Sequence, residues 1–296
     1  MKIEAITCIG NYRKKYFFKT VNSIADYLLN HAPKIDILLS DDFKNEIDLP
    51  KINKKIKITP FSKCVEVSDI MLSIGGDGTI LSTIRRIGKK IVPVLGIHIG
   101  NLGFLAQTTE STLYKALECL LEENYKIEKR LLLEIEVQNN GAHKYYAFND
   151  AVIDHGNSGR ILNTKVYVNG QHINNYESDG IIISTPTGST GYSLSSGGPI
   201  VYPNLETINI TPISSHSLSA RPIVLSSDSK ILIKFDVKFI DAALTVDGQE
   251  RINLKQKNEI FINQANFDAK LIILPFYNYM QTLKEKLGWS GNSSKI

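Results

Sequence analysis

The stretch "DIMLSIGGDGTILSTIRRIG", residues 69–88, decides the fold that the sequence predicts. It starts with an apolar run that has the length of a short buried β-strand. The run ends at Gly75, Gly76 and Gly78, which enclose Asp77, and apolar residues then resume at helical spacing. The stretch therefore predicts a strand, a glycine turn and a helix in direct succession.

The chain on both sides of this stretch alternates strand-like and helix-like segments up to about residue 125. "KIEAITCIG" and "IDILLS" are strand-like, and "KKYFFKTVNSIADYLLNHA" and "TESTLYKALECLLEENY" carry apolar residues at helical spacing. This alternation predicts a parallel α/β sheet that binds ligands at the carboxyl ends of its strands. The tail "LIILPFYNYMQTLKEKLGW" opens as a strand, so we expect a discontinuous Rossmann-like N-terminal domain made of residues 1–129 and 269–296.

The pattern changes after residue 130, where short alternating runs follow one another and helical spacing is scarce. "LLLEIEVQNNGAHKYYAFNDAVID" holds two such runs around Asn-Asn-Gly, which predicts a hairpin. Further runs include "TKVYVNGQHINNY", "GIIIST" and "DAALTVDGQERI". Residues 130–268 are therefore predicted to form a β-rich, β-sandwich-like C-terminal domain, which gives the chain an α/β plus β fold.

Composition limits the classes of function. The net charge of +4 over 296 residues is mild and does not indicate a nucleic-acid partner. No apolar run reaches the roughly 18 residues that a membrane span needs, and the N-terminus lacks the features of a signal peptide. Three cysteines lie far apart, which favours reduced thiols over disulfides or a zinc site. We therefore expect a cytoplasmic protein without a membrane partner.

The glycine turn has two interpretations. Gly-Gly and Asp-Gly are common turn dipeptides, so the turn is explained by structure alone. Alternatively, Gly75, Gly76 and Gly78 let backbone N–H groups face phosphate oxygens at the start of a helix. The chain contains neither G-x-x-x-x-G-K-[ST] nor G-x-G-x-x-G, which excludes the two usual nucleotide loops. In the second interpretation Asp77 is placed to accept a proton from a hydroxyl nucleophile.

Two further fragments carry polar groups after strand-like runs. "SDGIIISTPTGSTGYSLSSGGPIV", residues 178–201, is either a loop or a surface of hydroxyl and backbone donors for a base and its ribose. Thr187 belongs to this donor set, and Tyr192 is available to stack or pack. "FNDAVID", residues 148–154, places Asn149 where its amide suits an adenine edge, with turn chemistry as the alternative. The histidines show no metal-ligand spacing, so no protein metal site is predicted.

Together these fragments resemble the NAD kinase family over nearly the whole chain. The matching motifs are "GGDGT", "GNLGFL" (100–105), "NDAV", "DGIIISTPTGSTGYSLSSGGPI", "SLSARPIV" (217–224) and "LKEKLGW". The resemblance implies transfer of a phosphoryl group from ATP, or another nucleoside triphosphate, to the adenosine 2′-hydroxyl of NAD. It implies a magnesium ion that arrives with the nucleotide, no organic prosthetic group, and a homo-oligomer, either a dimer or a tetramer.

The resemblance also implies roles for particular residues. Asp77 is the expected general base, Gly75, Gly76, Gly78 and Thr79 belong to its loop, and Phe104 is expected to pack against the adenine. Asn149 and Asp150 are expected to hold the adenosine part. Further residues that match positions lining the NAD site are Arg160, Glu177, Asp179, Thr190, Gly191, Tyr192, Ser193, Leu194, Ser195 and Gln249.

The sequence departs from the family at two of these positions. Many relatives have alanine where Gly191 stands, a change that we expect the site to tolerate. Some NAD-specific relatives have arginine where Glu177 stands, so the choice between NAD and NADH stays open. Two alternatives also remain: a lipid or sugar kinase that shares the Gly-Gly-Asp-Gly loop, and a dinucleotide sensor without turnover.

Overall fold

A computed structural model describes residues 2–43, 52–100, 103–138, 141–217, 219–235, 242–255 and 257–289. Compact packing divides the chain into one unit made of Met1–Glu128 and Lys270–Ile296 and a second made of Lys129–Ala269. Both units are described below by their own strands, helices and cores.

The strands of the described residues are, in chain order, β1 (Ala5–Gly10), β2 (Asp36–Ser40), β3 (Lys57–Thr59), β4 (Ile70–Gly75), β5 (Val94–His98), β6 (Thr108–Thr109), β7 (Lys126–Arg130), β8 (Leu133–Gln138), β9 (Ala142–Ala147), β10 (Asp150–Asp154), β11 (Leu162–Val168), β12 (Gln171–Ser178), β13 (Gly180–Ser184), β14 (Thr207–Ile213), β15 (Ile223–Ser226), β16 (Ile231–Phe235), β17 (Ala242–Val246), β18 (Glu250–Leu254), β19 (Glu259–Gln264) and β20 (Ala269–Ile273). The helices are α1 (Phe17–His31), α2 (Phe61–Val67), α3 (Asp77–Ile87), α4 (Leu113–Leu121), α5 (Tyr192–Ser195) and α6 (Tyr279–Leu287). Short 3₁₀ turns precede α4 and α5.

The N-terminal sheet has the order β3-β2-β1-β4-β5-β20-β7, and β6 pairs with β5. The pairs β1–β2, β1–β4, β4–β5 and β5–β20 are parallel. Every residue of β4 is buried, as expected for a strand covered on both faces. The parallel α/β prediction for this half of the chain is confirmed, including the strand-turn-helix succession at residues 69–88.

The C-terminal unit contains two sheets, each formed by six of the described strands. Their orders are β15-β14-β13-β10-β17-β18 and β12-β11-β16-β19-β8-β9. Their pairings are antiparallel, for example β10 with β13 and β8 with β9. Burial alternates along β8, because one face of an antiparallel sheet packs on the core while the other faces solvent. Residues of both sheets form one apolar cluster, so the β-sandwich-like prediction is confirmed.

Some segments differ from the sequence expectation. The helix predicted over residues 109–125 is shorter, because α4 ends at Leu121 and Glu123 adopts a positive φ of 54°. The Asn-Asn pair of the predicted β8–β9 turn, residues 139–140, lies outside the described residues. All three cysteines are buried and free. In the part of the chain that the structure describes, no helix has the length and apolar character that a membrane crossing requires.

Candidate functional site

The glycine turn delivers Asp77 to the start of α3, at the carboxyl end of β4. Gly76 is the N-cap residue, and its N–H donates to Oγ1 of Thr79 over 3.4 Å. The N–H of Thr79 in turn donates to the Gly76 carbonyl over 2.9 Å. These bonds make a compact helix start in which one of the amides predicted to face phosphate, that of Gly76, already has a protein partner.

The carboxylate of Asp77 is held by the segment that follows β5. Its Oδ2 accepts the N–H of Phe104 over 2.8 Å, and its Oδ1 accepts the N–H of Leu105 over 3.3 Å. A Cβ on Gly103 would lie 2.1 Å from Oδ1 of Asp77, so only glycine fits at that position. Each carboxylate oxygen has two acceptor positions, so Asp77 retains capacity to accept a substrate hydroxyl.

His98 lies beside the same turn, because parallel pairing of β4 and β5 places it opposite Gly75. A Cβ on Gly76 would lie 3.5 Å from Nε2 of His98. Burial lowers the pKa of His98 most, Asp77 opposes this effect, and Lys14 and Lys286 lower the pKa further. A partly buried imidazole therefore lies beside the turn, and the positive charges of Lys14 and Lys286 that act on it favour phosphate oxygens there.

The second cluster of predicted residues forms in the C-terminal unit, where the 185–191 segment packs on Asn149. The N–H of Thr185 donates to the Asn149 carbonyl over 2.8 Å. A Cβ on Gly188 would lie 2.1 Å from that carbonyl oxygen, which explains the glycine. A Cβ on Gly191 would lie 3.2 Å from the Gly188 carbonyl oxygen and 3.5 Å from Nδ2 of Asn149, so alanine there requires the Gly188 backbone to shift by a few tenths of an ångström.

A cavity of about 390 Å³ opens beside these residues. Its lining consists of Asn149, Asp150, Val152, Asp154, Tyr192, Thr245, Asp247, Gly248 and Arg251. Arg251 donates to both oxygens of Asp154 over 2.9 Å. Among the described residues, the buried Oδ1 of Asn149 has no hydrogen-bond partner. A buried, unsatisfied acceptor at a polar cavity is a group that a ligand donor would satisfy.

Asp247 underlies Asn149 and Asp150. Its Oδ1 accepts the N–H of Asn149 over 2.7 Å and that of Asp150 over 3.2 Å, and its Oδ2 accepts the N–H of Phe148 over 3.1 Å. Asp150 is only 4% exposed and Asp247 only 6%. Burial and the neighbouring Asp247 raise the pKa of Asp150 from an ordinary value of 3.8 to about 7.

The structure gathers some of the predicted site residues and separates others. Ser193 is buried, with its hydroxyl 3.0 Å from that of Thr211, while Leu194 is half-buried and Ser195 exposed in α5. Thr190 donates to the Thr187 carbonyl over 3.3 Å. The hydroxyl oxygen of Thr187 is buried without a partner among the described residues.

Asp179 lies apart from Asn149 because of the strand register. Antiparallel pairing sets Asp150 opposite Ser184 but Asp154 opposite Gly180. Asp179, one residue before Gly180, therefore lies about 17 Å along the strand pair from Asp150, at roughly 3.4 Å per residue. Arg160, Glu177 and Gln249 are exposed. The roles predicted for these residues within the NAD site stay predictions.

Sequence reasoning missed Asp247 and His98. Asp247 begins the third Asp-Gly dipeptide of the sequence, after Asp77-Gly78 and Asp179-Gly180, and that repetition was the available signal. His98 carried no signal, since its closeness to Gly76 depends on which strands pair. Within the described ranges, no group of three or more His, Cys, Asp or Glu side chains could hold a metal ion.

Comparison with known families and proteins gives a consistent result. The family model described as the ATP-NAD kinase N-terminal domain matches residues 6–125, and that of the ATP-NAD kinase C-terminal domain matches residues 148–274. A NAD kinase of Caldanaerobacter subterraneus subsp. tengcongensis is 36% identical over 287 residues, which cover 96% of this chain and 99% of the relative. A NAD kinase of Geobacter sulfurreducens is 41% identical over 225 residues, which cover 75% and 79% of the two chains.

Solved structures show the same fold. The yeast NADH kinase crystallised with NADH superposes with a TM-score of 0.88 at 26% identity, covering 100% of this chain and 90% of the other. A NAD kinase from Archaeoglobus fulgidus in complex with ATP superposes with a TM-score of 0.72 at 22% identity, covering 96% and 97%. At that lower identity, the second likeness supports the fold only.

Proposed function

The chain belongs to the NAD kinase family, and we propose that it transfers the terminal phosphoryl group of ATP, or another nucleoside triphosphate, to the adenosine 2′-hydroxyl of NAD. It is a phosphotransferase with an alcohol group as acceptor. The placement of Asp77 is the observation that supports this phosphoryl transfer. Its carboxylate is fixed by two backbone N–H groups at the start of a helix, beside glycines and His98.

Asp77 is proposed to accept the proton of the 2′-hydroxyl as that oxygen attacks the terminal phosphorus, whose bond to the bridging oxygen breaks so that the nucleoside diphosphate leaves. A ribose hydroxyl is a weak nucleophile at neutral pH, and phosphoryl transfer depends mainly on positioning and charge stabilisation. Backbone N–H groups restrict rotation of the carboxylate without neutralising it, so Asp77 is kept in one orientation for the incoming hydroxyl.

The donor nucleotide is proposed to bring its magnesium ion with it, which requires few protein ligands. Gly75, Gly76, Gly78 and Thr79 would then lie against its phosphates, at a helix start that favours negative charge. Positive charge from Lys14 and Lys286 supports the same location.

The acceptor is proposed to bind through Asn149, Asp150 and the 187–195 segment. The unsatisfied oxygens of Asn149 and Thr187 support this proposal, since both are buried acceptors that a nucleoside donor would satisfy. Phe104 is half-buried, and its carbonyl accepts the hydroxyl of Tyr277 over 3.1 Å, which holds it for packing on a base. Arg160, Glu177, Asp179 and Gln249 are proposed for the remainder of the dinucleotide.

We also propose a choice of acceptor, a cellular environment and an oligomeric state. The yeast relative was crystallised with NADH, and Glu177 stands where some NAD-specific relatives have arginine, so we propose that this enzyme accepts NADH besides NAD. Three buried, free thiols support a reducing cytoplasmic environment. Family membership supports a homo-oligomer, which light scattering tests: a monomer at working concentration contradicts it.

The function is tested by incubating the purified chain with ATP, magnesium and NAD and measuring NADP with an NADP-specific dehydrogenase. Parallel reactions contain diacylglycerol or a hexose in place of NAD. Formation of NADP that depends on ATP supports the proposal. Phosphorylation of the lipid or sugar alone, or binding of NAD without turnover, contradicts it in favour of another kinase or a dinucleotide sensor.

A further inference from the structure

Asp247 occupies a position where an ordinary side chain is unfavourable. It lies in the turn between β17 and β18 with a φ of 50°, a left-handed conformation that asparagine, aspartate and glycine adopt most readily. The residue is nevertheless buried, with only 6% of its surface exposed. A non-glycine residue in this conformation, with its carboxylate inside the protein, is retained only when surrounding interactions offset the cost.

Four hydrogen bonds join Asp247 to one segment. Three successive N–H groups, of Phe148, Asn149 and Asp150, donate to the Asp247 carboxylate over 2.7–3.2 Å. The N–H of Asp247 donates back to the Asp150 carbonyl over 2.9 Å. Residues almost a hundred positions apart in sequence are thus joined by four hydrogen bonds directly beneath the cavity.

We propose that Asp247 is a positioning residue for the nucleoside-binding site: it fixes the backbone of residues 148–150, and its charge disfavours a second charge on Asp150. The identity of the nucleoside as the adenosine of NAD rests on the proposed function. The consequence is that Asp150 presents a protonated carboxyl group, a hydrogen-bond donor, to the cavity below about pH 7.

The charges around Asp150 support the proposal that Asp247 carries the negative charge and Asp150 the proton. Three backbone dipoles point at Asp247 and stabilise its carboxylate form. Asp154, on the same strand as Asp150, is neutralised by its paired contact with Arg251. Tyr192 lines the same cavity with a phenol and not a carboxylate. Asp247 is therefore the neighbour whose charge acts on Asp150, besides burial itself.

The test uses Asp247→Asn, because asparagine has the same shape and tolerates the left-handed backbone. Its single oxygen can serve Asn149 and Asp150, but its NH₂ group then faces the N–H of Phe148. Asp247→Gly suits the backbone and removes every acceptor, and it serves as the second variant if the first does not fold. Asp228→Asn, an exposed change in the β15–β16 turn, is the matched control.

The first readout does not depend on activity. The titration of Asp150 is followed by carboxyl ¹³C NMR in wild type, control and variant. In Asp247→Asn its midpoint is expected to fall by at least about one pH unit, because a like charge has been removed. An unchanged midpoint overturns the charge role, whatever reaction the protein catalyses.

The second readout tests positioning. In Asp247→Asn the KM for NAD is expected to rise about tenfold while kcat changes less than about threefold, and Asp247→Gly is expected to raise KM further. The control should leave both constants unchanged. Equal KM values in wild type and both variants overturn the positioning role. If the wild-type protein makes no NADP, the proposed function fails, and the titration of Asp150 still decides the charge role.

Discussion

The raised pKa of Asp150 makes a quantitative prediction about stability. We expect Asp150→Asn to stabilise the protein at pH 8 much more than at pH 5. In the folded chain Asp150 is 4% exposed beside Asp247, and its pKa lies at about 7. In the unfolded chain the same carboxyl titrates near its ordinary value of 3.8. The folded state therefore binds more protons than the unfolded state between these two pH values.

The sign follows from this difference in bound protons. Stability falls with rising pH wherever the folded state binds more protons, so the contribution of Asp150 declines from about pH 4 to about pH 7 and is constant above. A difference of about three pH units corresponds to about 4 kcal/mol in the free energy of unfolding. Between pH 5 and pH 8 the expected loss is about 2–3 kcal/mol. Asp150→Asn carries a neutral amide at this position, so the variant does not lose this stability as the pH rises.

The assay is thermal unfolding of wild type and Asp150→Asn at pH 5 and pH 8, compared as differences so that other titrating groups cancel. A gain of 2–3 kcal/mol corresponds to roughly 5–10 °C in Tm for a chain of this size. Asp228→Asn removes an exposed carboxyl from the same unit and should show no such pH-dependent difference. If the two pH values give the same difference in Tm, Asp150 is not buried as a neutral acid and the reasoning is refuted.

Three substitutions test the proposed reaction. Asp77→Asn should lower kcat at least about a hundredfold because an amide cannot take the proton. NAD binding measured by calorimetry should weaken far less, although the variant leaves one backbone N–H of residues 104–105 without its acceptor. Turnover near the wild-type rate would show that Asp77 only orients its ligands. Asn149→Ala should raise the KM for NAD roughly ten- to hundredfold, the cost of about 1–3 kcal/mol for an unsatisfied partner; an unchanged KM removes Asn149 from the site. Glu177→Arg places at this position the residue that some NAD-specific relatives have. It should raise the ratio of kcat/KM for NAD to that for NADH at least about fivefold, which corresponds to roughly 1 kcal/mol in the free energy that distinguishes the two substrates. Equal ratios before and after the change exclude a role for Glu177 in that choice.

Local patterns in the sequence predicted the elements that build the fold. The run before Gly75 is apolar at every position except Ser73, and β4 is buried on both faces. β14 was missed for a physical reason. Its sequence "TINITPI" contains Pro212, and proline argues against a central strand. In the structure Pro212 pairs with Ile181 of β13 on one side, while the pairing of β14 with β15 ends at Ile210. Proline lacks a backbone N–H, but among the described residues no strand pairs with Pro212 on its other side, so no hydrogen bond to a second strand is lost.

The candidate site was predictable where a motif carries its own geometry. Asp77 follows its strand directly, so strand and helix together fix its position. The separation of Asp179 from Asn149 was not predictable, because it depends on the antiparallel register of β10 and β13. The contact of His98 with the glycine turn likewise depends on β4 pairing with β5. Register and strand order are properties of distant segments, and a single motif does not contain them.

The three Asp-Gly dipeptides show how one local pattern serves three structural purposes. In the first, Asp77 starts a helix and its carboxylate binds the backbone of a neighbouring loop. In the second, Asp179 joins β12 to β13, and its carbonyl accepts the N–H of His155 over 3.2 Å. In the third, Asp247 turns the chain through a left-handed residue and binds three amides of a distant segment. The shared dipeptide supplies a short acid beside a residue without a Cβ. Each carboxylate binds the N–H groups that the fold places within its reach. For Asp77 these belong to the segment of Phe104, and for Asp247 they belong to the segment of Asn149.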